Sequence, residues 1–245
     1  MKIVLPLVFL ALSACGPLPE RQTDRSKVGS PPAAGIELPP IKTRILALAI
    51  SEWLYFGQQS VTYDGDQESI PQVGFWEDDP SYSQRINQYW RAVGMPERTG
   101  RNCEQAWSAA FVSWVMATAG VPKERFPPSE AHWIYLAQII RNADGPEQSF
   151  VPRPIHDYTP RPGDLICASR GASITPPFVQ PPFLETIEHT KLHCDIVVGK
   201  HGRTLEAIGG NVRNSVSKNI LKLDRKGHLQ PIARRPWFLV IENRL

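Results

Sequence analysis

The hydrophobic period changes once along this chain, and that change sets the fold class. Between Ile41 and Asn142, apolar residues recur at helical spacing. Ile45, Leu46, Ala49, Ile50, Trp53 and Leu54 form one stripe, which ends near Gly57. Asp79 followed by Pro80 reads as an N-cap and a favoured first helical residue. They open a second stripe of Tyr82, Ile86, Tyr89, Trp90 and Val93, which Gly94 ends. A third helix is expected over Gln105–Gly120, and Ser129 stands where it would cap a fourth over Glu130–Asn142. The polar stretch Gln58–Gly74 between the first two helices reads as a connection. From Leu165 the pattern becomes short β-type runs: Leu165–Ala168, His193–Gly199, Thr204–Ile208, Asn219–Leu223 and Trp237–Ile241. Helices first and strands second predict an α+β domain with a helical N-terminal half packed on an antiparallel β-sheet. A long loop with Pro176-Pro177 and Pro181-Pro182 is expected over Ser169–Thr190.

The chain's 245 residues suit one domain with appendages, and 42% hydrophobic content supports a sizeable core. A net charge of +3 with no Lys/Arg run argues against nucleic acid and against a polybasic membrane patch. The N-terminus reads as a targeting segment. Lys2 precedes an apolar run, Ile3–Ala11, that is far shorter than the about 20 residues a membrane span needs. Leu12-Ser13-Ala14-Cys15 resembles a bacterial lipobox. The resemblance implies a signal peptide over 1–14, lipid on Cys15 and attachment to the periplasmic face of the outer membrane. Several acyl chains would hold the protein there, each buried methylene contributing about 0.8 kcal/mol. Residues 15–40 are rich in Pro, Gly, Ser and charge and read as a disordered linker, which leaves 41–245 as the folded domain. Three cysteines then remain, Cys103, Cys167 and Cys194, in a compartment that permits disulfides. The odd count leaves at least one free or paired with another chain.

Four motifs carry a family resemblance. Trp107-Ser108-Ala109-Ala110-Phe111-Val112-Ser113-Trp114 resembles the nucleophile helix of CHAP and NlpC-type cell-wall peptidases and amidases. Pro162-Gly163-Asp164-Leu165-Ile166 resembles their first core strand, and His193-Cys194-Asp195-Ile196-Val197-Val198-Gly199 the strand that starts with their catalytic histidine. Ile208-Gly209-Gly210-Asn211 resembles the strand end that bears their third polar residue. Across about Ile41 to Leu245 the chain is similar to a bacterial family known as domain of unknown function 2272. The resemblance implies a papain-like fold and a cell-wall peptide or envelope protein as partner.

Residue by residue, the resemblance puts Ser108 at the nucleophile, His193 at the base and Asn211 at the orienting group. A serine hydroxyl, unlike a thiolate, gains little from a helix dipole at rest and must lose its proton to a base during attack. An uncharged Asn orients an imidazole but stabilises its cation less than Asp does. Each residue also has a plainer reading. Ser108 can be a small helix residue bonded to backbone, His193 a structural histidine and Asn211 a turn residue. Trp107, His132 and Cys103 are the candidate groove contacts, with Cys103 the one credible substitute nucleophile. Cys194 neighbours His193 in a strand, so the two point to opposite faces. No paired His or Cys spacing suggests a metal, and nothing calls for a cofactor. Two functions follow as expectations: a lipid-anchored periplasmic hydrolase of amide bonds in cell-wall peptides, or a catalytically inactive module that binds such peptides or a protein partner.

Overall fold

The computed structural model describes residues 38–143, 145, 148–170 and 184–245. The signal peptide, Cys15, the 15–37 stretch of the linker and the 171–183 part of the proline-rich loop lie outside the described residues. Pro39–Leu245 forms one compact unit. In chain order its elements are α1 (Ile41–Tyr55), β1 (Ser60–Asp64), β2 (Gln67–Gln72), α2 (Pro80–Ala92), α3 (Ser108–Thr118), α4 (His132–Arg141), β3 (Phe150–Pro154), β4 (Leu165–Ser169), the short α5 (Leu184–Ile187), β5 (Leu192–His201), β6 (Thr204–Val212), β7 (Ser215–Lys222) and β8 (Trp237–Asn243).

The strands form one sheet in the order β2-β1-β7-β6-β5-β4-β8-β3. Its pairs are antiparallel except β1 with β7, which run parallel. The sheet is therefore mixed, which corrects the expectation of a purely antiparallel one. The hairpin β1–β2 occupies the stretch read as a connection, so the first half is not wholly helical. Ser60-Val61-Thr62-Tyr63 is β-branched or aromatic at three of its four positions, a strand signature too short to outweigh its polar flanks. β3 has no counterpart in the sequence reading either. Pro152 and Pro154 argue against a strand, yet β3 is an edge strand, where a missing N–H is tolerated.

Two apolar cores form. One holds α1–α4 against the sheet, with Trp90, Trp107, Phe111, Met116 and Tyr135 at its centre. The other contains Val61, Tyr63, Ile166, Val197, Ala207 and Val240. Cys167 and Cys194 face each other across β4 and β5 and form a disulfide, leaving Cys103 free and exposed.

Helix starts matter most for the site. Asp79 caps α2, its side chain accepting from the Ser81 N–H at 2.9 Å, with Pro80 first in the helix. α3 begins at Ser108, later than the apolar stripe suggests, because Gln105–Trp107 stay outside the helix. Gly120 takes the left-handed conformation after its end, with φ +85°. α4 begins at His132 with Ala131 at the N-cap, so Ser129 is not the cap. Ser129 instead bonds to Ser113 on α3: its N–H donates to Ser113 Oγ at 3.0 Å, and Ser113 Oγ donates back to Ser129 O at 3.1 Å. This clasp ties the segment just before α4 to the middle of α3.

Candidate active site

Ser108 is the first residue of α3, buried at the floor of a cleft of about 500 Å³. Its Oγ lies 2.9 Å from His193 Nδ1 and 2.9 Å from His132 Nε2. His193 Nε2 lies 2.6 Å from Asp195 Oδ1. The other Asp195 oxygen accepts from Asn219 Nδ2 at 2.6 Å, with Arg235 Nη1 3.8 Å away. His132 Nδ1 meets the Tyr135 hydroxyl.

These contacts fix the direction of every bond. A carboxylate only accepts, so His193 carries its proton on Nε2 and presents a bare Nδ1 to the serine. Ser108 Oγ–H then donates to His193 Nδ1. Having one hydrogen, the hydroxyl can only accept from the second imidazole, so His132 Nε2 is protonated. His132 Nδ1 is therefore an acceptor, and Tyr135 O–H donates to it. Tyr135, His132, Ser108, His193 and Asp195 form one unidirectional chain ending on a carboxylate.

The electrostatics agree. Burial pushes the Asp195 carboxyl up, but His193, Arg235 and the Asn219 hydrogen bond pull harder, and it ends below the usual carboxylate range. His193 is lowered by burial, which Asp195 only partly offsets. His132 is held well below the ordinary histidine value by burial first, then by His193 and Arg170. Tyr135 is raised well above 10.0 by burial and by Asp195, and stays a donor.

Local backbone geometry explains how the set assembles. His193 and Asp195 are two apart on β5 and so share a face. Gly209 on the neighbouring β6 makes room for them, since a Cβ there would lie 1.8 Å from Asp195 Oδ1. A Cβ on Gly210 would lie 2.5 Å from Phe111 Cβ, so this glycine lets β6 approach α3. No side chain caps α3, leaving its first N–H groups without intrahelical acceptors beside Ser108.

Of the residues singled out from sequence, Ser108, His193 and His132 come together. Asn211 does not join them. It takes the left-handed conformation at φ +56° and donates to Glu77 Oε2 at 3.0 Å. Trp107 is buried, its indole N–H donating to the same Glu77 oxygen and its ring 5.8 Å from Tyr89 and 6.2 Å from Phe56. Trp107 and Asn211 thus hang on one buried carboxylate that anchors the chain just before Ser108. Cys103 is exposed and outside the cleft lining. Desolvation, with the charges of Glu77 and Asp78, pushes its thiol up and away from the thiolate. Asp195 was not singled out. Its alternation with His193 in an apolar strand was the signal that could have found it. The cleft is rimmed by charges of both signs, Glu104, Glu130, Arg170 and Lys191, with Trp133 beside them. Among the described residues no cluster of three or more His, Cys, Asp or Glu is arranged to hold a metal, and no helix is long and apolar enough to cross a membrane.

Residues 73–243 match the model of a bacterial family described as an uncharacterized protein conserved in bacteria, domain of unknown function 2272, and the chain belongs to that family. No curated protein and no solved structure matches it.

Proposed function

We propose that this member of the family is a serine hydrolase of amide bonds, with Ser108 as nucleophile, His193 as base and Asp195 as the group that orients and stabilises the imidazole. One observation carries the reading: Ser108 Oγ sits 2.9 Å from the unprotonated face of a histidine whose far nitrogen is 2.6 Å from a buried carboxylate. That is the arrangement a hydroxyl needs to become a nucleophile. It replaces the Ser108, His193 and Asn211 arrangement with one that has an anion behind the base, which removes the weakness of a neutral orienter.

The steps follow from the bond directions. As Ser108 Oγ bonds the substrate carbonyl carbon, its proton passes to His193 Nδ1, and Asp195 stabilises the resulting imidazolium. The free N–H groups at the start of α3 face the developing oxyanion. When the C–N bond breaks, His193 Nδ1–H gives its proton to the leaving amine. Water then repeats the sequence on the acyl ester. Because burial lowers the His193 imidazole from its ordinary value, the base form persists further into acid, and activity falls only as pH drops through that lowered midpoint.

The substrate reading rests on the motif resemblance to CHAP and NlpC-type enzymes of papain-like fold, and the setting on the lipobox-like Leu12-Ser13-Ala14-Cys15. Together they favour peptide amides of the cell wall, reached by a protein tethered through Cys15 in the periplasm. The test has two readouts. A fluorophosphonate probe should label Ser108, located by peptide mass spectrometry, and the label should vanish in His193→Ala. Purified peptidoglycan should release muropeptides with the wild type but not with Ser108→Ala. Wall binding with no product and no label would favour a non-catalytic binding module instead.

A further inference from the structure

The hydrolase reading uses one of the two histidines on Ser108 and leaves the other unexplained. Resting on that reading, we infer that His132 is a second catalytic residue, whose Nε2–H moves from the serine oxygen to the oxyanion as the tetrahedral intermediate forms. Three observations carry this. First, Nε2 already lies 2.9 Å from Oγ, and the oxyanion grows on the very carbon that Oγ attacks, so the donor needs only a small displacement. Second, the tautomer is set. Tyr135 O–H donates to Nδ1, which leaves the hydrogen on Nε2, facing the reaction. Third, the ring is pre-positioned. His132 opens α4, only 5% exposed, and the Ser113–Ser129 clasp holds that helix start against α3.

His132 also lines the cleft directly, beside Ser108 and Ala109. It is thus exposed to substrate on one edge and held by Tyr135 on the other. No proton leaves it at any step. The Ser108 proton goes to His193, the carbonyl π pair goes to oxygen, and His132 only redirects an existing hydrogen bond. Tyr135 acts through it as a positioning residue.

The experiment measures the rate at which a fluorophosphonate modifies Ser108, because the phosphoryl oxygen occupies the oxyanion position as fluoride leaves. His132→Ala should slow labelling by roughly 10²–10³-fold, the usual cost of one oxyanion donor. His132→Gln keeps an N–H donor and should lose no more than about tenfold. In both, the acid-side midpoint of the rate should stay with His193. Circular dichroism and thermal melting identify a His132→Ala protein that does not fold, and the Gln variant then carries the comparison alone. Wild-type rates in His132→Ala overturn the inference, as do equal losses in a folded Ala and Gln pair or an abolished acid-side midpoint. A wild type that takes no label at Ser108 instead overturns the hydrolase reading itself.

Discussion

Two histidines grip one oxygen at the same distance, and what stands behind each ring makes them different. His193 on β5 is backed by Asp195, an anion held below its usual pKa by His193, Arg235 and Asn219. His132 on α4 is backed by a phenol that burial keeps protonated. The first ring can become a cation during a reaction, because its partner becomes more favourable when it does. The second gains nothing by protonation and loses its solvation, so it stays neutral. Equal distances therefore hide unequal chemistry: one side of Ser108 takes protons and the other offers a hydrogen bond. The lesson is that the atom two bonds beyond a contact decides what the contact can do.

The contrast can be broken most sharply at the backing residues. Asp195→Asn should slow Ser108 labelling by roughly 10³–10⁴-fold, since an amide neither fixes Nε2–H nor stabilises an imidazolium. Tyr135→Phe should cost no more than about tenfold, the worth of one neutral hydrogen bond. Asn211→Ala, whose side chain hydrogen-bonds to Glu77 rather than to either ring, should change the rate less than about twofold. Equal losses at Asp195 and Tyr135 would erase the distinction between the two arms.

The next effect is steric and confined to the β5 arm. Gly209→Ala would bring a methyl against Asp195, 1.8 Å from Oδ1 before any shift. A displacement of that size in an orienting group should reduce labelling at least about 10²-fold. The variant also separates this glycine from Gly210, whose added methyl would strike Phe111 in the helix core and show mainly as lost stability.

Smaller effects should appear in stability. The Cys167–Cys194 bond ties β4 to β5 beside His193, closing a loop with a sequence separation of 27. Replacing both cysteines by alanine should lower unfolding free energy by about 3–4 kcal/mol in urea titrations. The least is a pH effect from the α4 arm. The folded pKa of His132 is depressed, so below about 6.5 the unfolded chain binds a proton that the folded chain refuses. Stability should therefore fall as pH drops from 7 to 5, and His132→Gln should flatten part of that slope. An unchanged slope would mean that His132 titrates freely.

Much of this was legible in the residues. The helical stripes, the Asp79-Pro80 start and the late strands show plainly because each is long or sharply punctuated. Ser108 and His193 were legible through the motif resemblance, which carries both by residue type and order along the chain, and they lie at or next to the start of α3 and β5. The rest depended on tertiary context. β3 carries prolines that only an edge position excuses. β1 is short, and its parallel partner β7 lies far along the chain. Asp195 was hidden inside an apolar run, where a buried acid looks like an interruption until its partners are known. Asn211 had the residue type of a triad member, yet its positive φ sends it to Glu77. What β6 places against Asp195 is instead the space left by Gly209, two residues before Asn211.

The strand order has a consequence for how the protein is made. β8, the latest strand in the sequence, is an interior strand between β4 and β3. β1, formed early, waits for β7. During synthesis the chain therefore carries open strand edges on both flanks until more than two hundred residues have emerged. A ribosome that stops before Trp237 leaves β3 without a partner and one side of β4 uncovered. Closure of the sheet beside β4, the strand that pairs with His193's own strand β5, is thus tied to completion of β8.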